Sequence, residues 1–314
     1  MKRINGTFFE FYHHNRVGGT HWNDQCREYT EEQWETKVDE IAALGMKYIV
    51  LMESALVYPD SAESYFPTDI YPPAPMKAKD PIGAMMRAAE RNGLKVFMSC
   101  GFYGIWNHTR DNITSEEVKA RAFKAMKQLY ERYGKSDAFY GWYLPDETEI
   151  GPYFDEDFIK YVNEYAAYGR SFDENLKILI APYGTRLAVT DAHYIEQLKR
   201  LDCDIVAYQD EVGVEKATPE QTKIYFKNLN QAHKAAGRSV IWADMETFQC
   251  EGKVYHSPMV GADGARIKAQ MESISDYVEE IIIYIYQGTM NPPDTKVLCG
   301  HPSTVKLYRD LFLD

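Results

Sequence analysis

The chain has 314 residues, 45% of them hydrophobic, with 35 Lys and Arg against 47 Asp and Glu and a formal charge of −12. That length can bury a large core and is normal for an α/β barrel, which runs ~250 residues plus insertions. The acidic balance argues against a nucleic-acid or anionic-membrane partner, because polyanions demand basic surface, and it leaves neutral ligands such as sugars open.

Short β-branched or aromatic runs alternate with longer amphipathic stretches from end to end. The expected strands are Gly6–Phe11, Tyr48–Met52, Lys95–Ser99, Phe139–Leu144, Lys177–Ala181, Ile205–Gln209, Val240–Ala243 and Ile281–Tyr286. Each is almost continuously apolar, as parallel strands covered on both faces are, and their spacing is that of βα units with variable loops. Helix starts are marked at Thr30 with Gln33, Thr114 with Glu117, and Thr218 with Pro219 and Gln221, each read as a capping box. Gly45, Gly93, Gly134 and Gly237 stand where glycines close helices. Trp34, Val38 and Ile41 fall at i, i+4 and i+7 and predict the inner face of the first helix. Eight such units without a linker-like break predict a single-domain (β/α)8 TIM barrel spanning residues 1–314.

In that fold, functional groups come from the C-terminal ends of the strands and the loops that follow. The polar residues there are Glu10, Glu53, Asp146, Glu147, Gln209, Asp210, Asp244, Glu246 and Gln287. Each acid abuts an apolar strand, which puts it near the barrel mouth. Glycoside hydrolysis needs two carboxyl groups, one to protonate the leaving oxygen and one to attack the anomeric carbon or activate water. Glu147 after the fourth strand and Glu246 after the seventh are the candidate catalytic pair. A separation of ~5–5.5 Å would mean retention and ~6.5–9.5 Å inversion. Asp244, Asp210, Gln209, Glu10 and Glu53 are expected to orient sugar hydroxyls, and His13 to contact one.

The chain is rich in aromatic residues, 24 Tyr and 5 Trp among them, which suits stacking on apolar sugar faces. Trp22, Trp106, Tyr103, Tyr208 and Tyr286, at or beyond strand ends, are candidate platforms, whereas Trp142 and Trp242 sit inside strands as core or cleft floor. Two long excursions, Val57–Lys79 and Gln249–Gly264, exceed the usual short βα connection and are expected to wall a cleft.

No cofactor or metal is expected. The five cysteines are scattered without CxxC spacing, and no Gly-rich phosphate fingerprint or serine nucleophile elbow occurs. His13 and His14 are adjacent, and successive side chains of one strand point to opposite faces. Even so, His13, Glu53 and Asp146 together are chemically adequate for a divalent ion. Metal-dependent sugar isomerisation or hydrolysis is therefore one alternative, and a non-catalytic carbohydrate-binding barrel another. No apolar run approaches the ~20 residues of a membrane span, and no signal-peptide core follows Met1. The expectation is a cytoplasmic protein or one whose leader has been removed, and the oligomeric state stays open.

Several separated segments carry a resemblance. Gly6-Thr7-Phe8-Phe9-Glu10, the helix and turn from Trp34 to Leu44-Gly45-Met46, Gly141 to Glu147, Gln209-Asp210-Glu211-Val212-Gly213 and Trp242 to Phe248 resemble a bacterial family of glycosidase-like barrels classified as a domain of unknown function. The placement of the two glutamates is similar to that of the retaining glycosidase clan. The resemblance implies an O-glycoside hydrolase acting on an oligo- or polysaccharide, with Glu147 as general acid/base and Glu246 as nucleophile. One departure stands out: the clan has Asn before its acid/base Glu, and here the residue is Asp146. An anion at that position would raise the pKa of Glu147, which suits a general acid, or Asp146 would itself be the acid.

Overall fold

A computed structural model describes residues 1–313. Eight parallel strands close into a barrel in chain order. They are β1 (Ile4–Phe9), β2 (Tyr48–Leu51), β3 (Lys95–Ser99), β4 (Phe139–Leu144), β5 (Lys177–Ile180), β6 (Ile205–Gln209), β7 (Val240–Glu246) and β8 (Glu280–Tyr284). After each comes one long helix: α1 (Glu31–Ala43), α2 (Pro81–Arg91), α3 (Glu116–Tyr133), α4 (Glu156–Arg170), α5 (Ala192–Arg200), α6 (Pro219–Ala236), α7 (Gly264–Ile274) and α8 (Thr304–Phe312). The architecture is the expected (β/α)8 barrel. No helix among the described residues is long and apolar enough to cross a membrane.

Local chemistry fixes the helix ends. Thr30 and Thr218 form reciprocal capping boxes with Gln33 and Gln221, each satisfying two backbone N–H groups that the first turn leaves free. The third expected cap is displaced by one residue: Ser115, not Thr114, accepts from the Val118 N–H, because Thr114 ends a short preceding helix, Thr109–Thr114. Gly45, Gly93 and Gly237 take the left-handed conformation that closes a helix, whereas Gly134 does not.

Two layers of apolar side chains result. Trp34, Val38 and Ile41 of α1 are fully buried, and the Trp34 ring packs edge-on to Phe11 at 5.0 Å. Inside the barrel Trp242 meets Tyr48 at 4.7 Å and Phe97 at 5.9 Å, closing its lower part. Above them Phe8 packs against Tyr143 at 5.3 Å and Tyr284 at 5.7 Å. Tyr143 points inward while Trp142 lies against Gly169 of α4. The pairing of β3 with β4 slips by one residue between Val96 and Phe97, opposite Tyr140. The Phe8–Tyr143–Tyr284 layer is the floor on which the mouth residues stand.

Two strand ends differ from expectation in ways that matter. β7 continues to Glu246 rather than stopping at Ala243, because Asp244, Met245 and Glu246 pair with Ile282, Ile283 and Tyr284 of β8. β8 ends at Tyr284, two residues short of Tyr286. The Val57–Lys79 excursion folds outward. It begins with a small antiparallel pairing of Ala55–Val57 with Ala62–Ser64, buries Tyr65 and Phe66, and stacks Tyr71 on Tyr103.

Candidate active site

A cavity of about 440 Å³ opens at the C-terminal end of the barrel, within the size range of small-molecule sites. Side chains from all eight strand ends or following loops line it, including Glu147, Gln209, Asp244 and Glu246. The excursion after β7 supplies part of the wall through Cys250, Val254, Tyr255, Ser257 and Met259. Val57–Lys79, expected as a second wall, contributes none of the lining.

Glu147 follows β4 by three residues. Its carboxylate accepts a hydrogen bond from the Tyr143 hydroxyl and another, 2.6 Å long, from Gln209 Nε2. Burial pushes its pKa up to about 7, and these two donors hold it from going higher. Glu246 ends β7. Its Oε2 accepts from the Val214 N–H at 2.9 Å, and burial, with the negative charge of Asp210, pushes it up to about 8. Asp244 lies on the same strand and lines the same cavity. Burial first, then the nearby charges of Glu147, Glu246 and Asp210, raise its pKa well above the ordinary range, and its Oδ1 is buried without a protein partner. Three carboxyls facing one partly desolvated space cannot all ionise cheaply, so burial and mutual repulsion favour their protonated forms.

Asp146 and Glu147 are adjacent, but their side chains lie in different surroundings. The Asp146 carboxylate turns aside and accepts from Asn112 Nδ2 at 2.7 Å, and Asp146 is absent from the cavity lining, which Glu147 joins. Its own pKa is pushed up to about 7 by burial, and its charge is only the last and smallest influence on Glu147. The expected raising of Glu147 therefore occurs, but desolvation is its main cause.

Several expected contact residues lie behind the wall instead. Asp210 accepts from the Glu246 N–H at 3.1 Å, the Val212 N–H at 3.3 Å and Gln270 Nε2 at 2.6 Å, so it pins the backbone under Glu246. Glu10 is buried, accepting from Trp22 Nε1 at 3.0 Å and the Tyr284 hydroxyl at 2.8 Å, with His13 Nδ1 at 3.0 Å. Trp22 is thus an internal anchor and not a platform. Glu53 is fully buried; one oxygen accepts from the Phe11 N–H and the other has no partner. Tyr208 points away from the mouth to Tyr194 and His233, because its neighbour Gln209 takes the inward position and strand side chains alternate. Tyr286 reaches Glu40 of α1, since it lies past the end of β8 where alternation no longer sets its direction. Tyr103 is buried, bonded to Ser54. Trp106 and His13 do line the cavity.

Other residues of the site escaped sequence reasoning. Tyr143 and Tyr284 looked like ordinary strand aromatics, and only the barrel interior brings their hydroxyls to Glu147 and Glu10. The His14 ring lies 4.7 Å from that of Trp106, tilted by 48°. The adjacent histidines are not splayed to opposite faces: β1 ends at Phe9, so strand geometry does not constrain them, and their rings lie 4.6 Å apart. Glu10, His13 and His14 each offer a ligand atom within 4.8 Å of the others. That grouping replaces the expected one of His13, Glu53 and Asp146, whose last member is held by Asn112.

The closed (β/α)8 barrel, with Glu147 and Glu246 lining one cavity from the ends of β4 and β7, defines the class of molecule as a TIM barrel. The chain belongs to the family described as domain of unknown function DUF4434, whose model matches residues 4–297. No curated protein sequence matches it. Among solved structures, it is similar to a candidate alpha-L-fucosidase from Bacteroides thetaiotaomicron, at 16% identity over 99% of this chain and 94% of that one, with a TM-score of 0.73. It also resembles the endo-1,4-beta-mannanase of Rhizomucor miehei, at 10% identity over 98% and 92% of the two chains and a TM-score of 0.62. A third is the endo-beta-1,4-mannanase of Thermotoga petrophila, at 12% identity, 99% and 76% coverage and a TM-score of 0.57. At these identities the likeness is one of fold.

Proposed function

We propose that the protein hydrolyses O-glycosidic bonds of an oligo- or polysaccharide by a retaining two-carboxylate mechanism. The observation that carries the two-carboxylate reading is that Glu147 and Glu246, from β4 and β7, line one cavity; retention follows the similarity of their placement to the retaining clan. Glu147 acts as general acid: it gives its proton to the glycosidic oxygen as the C–O bond breaks, while ionised Glu246 attacks the anomeric carbon. Water, deprotonated by Glu147, then releases the sugar. Asp244 and Gln209 contact sugar hydroxyls, and Trp106 offers an aromatic face. Asp146, Asp210 and Glu10 are positioning residues.

Burial pushes both carboxyls up, Glu147 to about 7 and Glu246 to about 8, and substrate sets which of the two holds the proton. A leaving oxygen accepting from Glu147 favours its protonated form, and positive charge developing at the anomeric carbon favours ionised Glu246.

The test is a screen of aryl glycosides and natural oligosaccharides with the wild type, Glu147→Gln and Glu246→Gln. Turnover should fall by about 10²–10⁴-fold in each variant, and proton NMR should show the first-formed sugar with its anomeric configuration kept. Inversion would refute the retaining route, and persistent binding without turnover by all three proteins would identify a lectin-like barrel instead.

A second reading, metal-dependent sugar chemistry, is favoured by the Glu10–His13–His14 grouping. It competes with Trp22, His13 and Tyr284, which already occupy both Glu10 oxygens. Stoichiometric divalent ion in purified protein, removed together with activity by a chelator, would select it.

A further inference from the structure

We propose that Cys26 and Cys299 are a disulfide-forming pair, which a small-molecule disulfide converts into a covalent cross-link across the seam where the barrel closes. Neither residue lines the cavity, and the pairing is independent of the glycosidase reading.

Every neighbouring pair of barrel strands but one is joined by its own βα unit. The exception is β1 with β8, held by the pairing of Ile4, Gly6 and Thr7 with Ile281, Ile282 and Ile283 and by no connecting chain. Closure of the barrel brings Cys26, in the short helix Asn23–Arg27 between β1 and α1, to Cys299, in the connection between β8 and α8. Their sulfurs lie 3.8 Å apart, although 273 positions separate them in the chain. The two segments are also bonded to each other on either side of the thiols. The Gly300 N–H donates to Gln25 Oε1 at 2.8 Å, and the Tyr29 hydroxyl donates to the Leu298 carbonyl. A covalent bond needs the sulfurs to approach by less than about 2 Å, which rotation of two short side chains can supply. No other two cysteine sulfurs among the described residues are in contact: Cys100 and Cys203 are buried apart, and Cys250 is half-buried.

The two thiols are chemically unlike. The Cys26 S–H donating to its sulfur, with help from the Lys37 ammonium, holds Cys299 below the ordinary thiol value, whereas burial raises Cys26. Cys299 is therefore the first nucleophile. Its thiolate attacks one sulfur of the oxidant, expelling one thiolate and leaving a mixed disulfide. Cys26, losing its proton, then attacks the Cys299 sulfur and expels the second thiolate. The pair gives up two protons and two electrons, and the oxidant is reduced to two thiols. Both sulfurs are buried in the fold, so the exchange takes place while the two connections are open.

A cross-link here closes a loop of nearly the whole chain. The entropy it removes from the unfolded state grows with loop length, so it stabilises more than a link within any one βα unit would. It also braces one side of the cavity. Beside Cys26 in the chain, Trp22 Nε1 donates to Glu10, and Asn23 exchanges hydrogen bonds with the His13 backbone at 2.7 and 3.1 Å.

The experiment treats the full chain with dithiothreitol, removes it, and exposes the protein to oxidised glutathione in urea below the unfolding transition. Thiols are then counted in guanidinium, and tryptic peptides are mapped without reduction. The reduced chain should show its five thiols and the oxidised chain fewer, with residues 17–27 linked to residues 297–306. Recovery of Cys26 and Cys299 as free thiols, as glutathione adducts or in links to other cysteines would overturn the pairing. The thermal midpoint of the cross-linked protein should rise by roughly 5–10 °C and return on reduction. The double variant Cys26→Ala, Cys299→Ala should keep one midpoint with and without oxidant. A midpoint that is unchanged or lowered by the link, or that shifts equally in the double variant, would refute a stabilising cross-link at the seam.

Discussion

Removing one oxygen atom, in Tyr143→Phe, tests which role Glu147 plays. The Tyr143 hydroxyl is fully buried and donates to Glu147 Oε1, and that bond is the largest influence opposing the burial that raises Glu147. A hydrogen bond to a charged group is worth about 1.5–3 kcal/mol, and one pKa unit corresponds to about 1.4 kcal/mol. Losing the donor should therefore lift Glu147 by about one to two units from its value of about 7. Gln209 still holds the other oxygen, so the side chain stays in place. The assay is the pH dependence of kcat/KM for the variant against wild type. If Glu147 is the acid, activity requires its protonated form, and the alkaline limb moves up by about one unit or more. If Glu147 is the nucleophile, activity requires its ionised form, and the acidic limb moves up instead. The two donors converging on Glu147 favour its carboxylate in the free protein, which makes this the decisive comparison. A profile in which neither limb moves would refute the placement of Glu147 among the titrating catalytic groups.

Other outcomes follow from the same geometry. Gly213→Ala would put a Cβ within 2.9 Å of Glu246 Oε2 and 2.8 Å of the Phe248 carbonyl oxygen; displacing that carboxyl should lower kcat by about 10²-fold, and unaltered kinetics would show that Glu246 is not position-sensitive. Trp106→Ala should raise KM by roughly fivefold, for a lost aromatic contact of about 1 kcal/mol, with little change in kcat; a fall in kcat alone would contradict a stacking role. Glu246 ionises near 4.5 when unfolded but at about 8 in the fold, so the folded state holds the extra proton and stability falls as pH rises through that window. His14 and His233, pushed down to about 3 and about 4 by burial, act in the opposite sense only below their unfolded value of 6.5. Urea denaturation between pH 6.5 and 8 should therefore show Glu246→Gln losing about 1–2 kcal/mol less stability than wild type over that interval, and parallel losses would contradict the burial of this carboxyl.

The sequence by itself determined the barrel. Strand runs such as Lys95–Ser99 and Ile205–Gln209 are apolar on both faces, the capping boxes at Thr30 and Thr218 are purely local, and eight alternating units leave few other closed arrangements. It also marked Glu147, Glu246, Gln209 and Asp244, because the groups that line a barrel mouth come from the C-terminal ends of its strands. What it could not decide was direction. Tyr208 and Tyr286 sit at the right ends of their strands, yet one alternates outward and the other lies past the point where pairing stops. Asp146 and Glu147 are neighbours in the chain, and only the presence of Asn112, thirty-four residues earlier, turns the first aside and leaves the second in the cavity. Tyr143 and Tyr284 became site residues for the converse reason: a slip in the pairing of β3 with β4 and the true end of β8 aim their hydroxyls at buried carboxylates. Position along a strand is a local property of the sequence; the side of the wall on which a side chain emerges depends on register and on partners that only the closed barrel brings together.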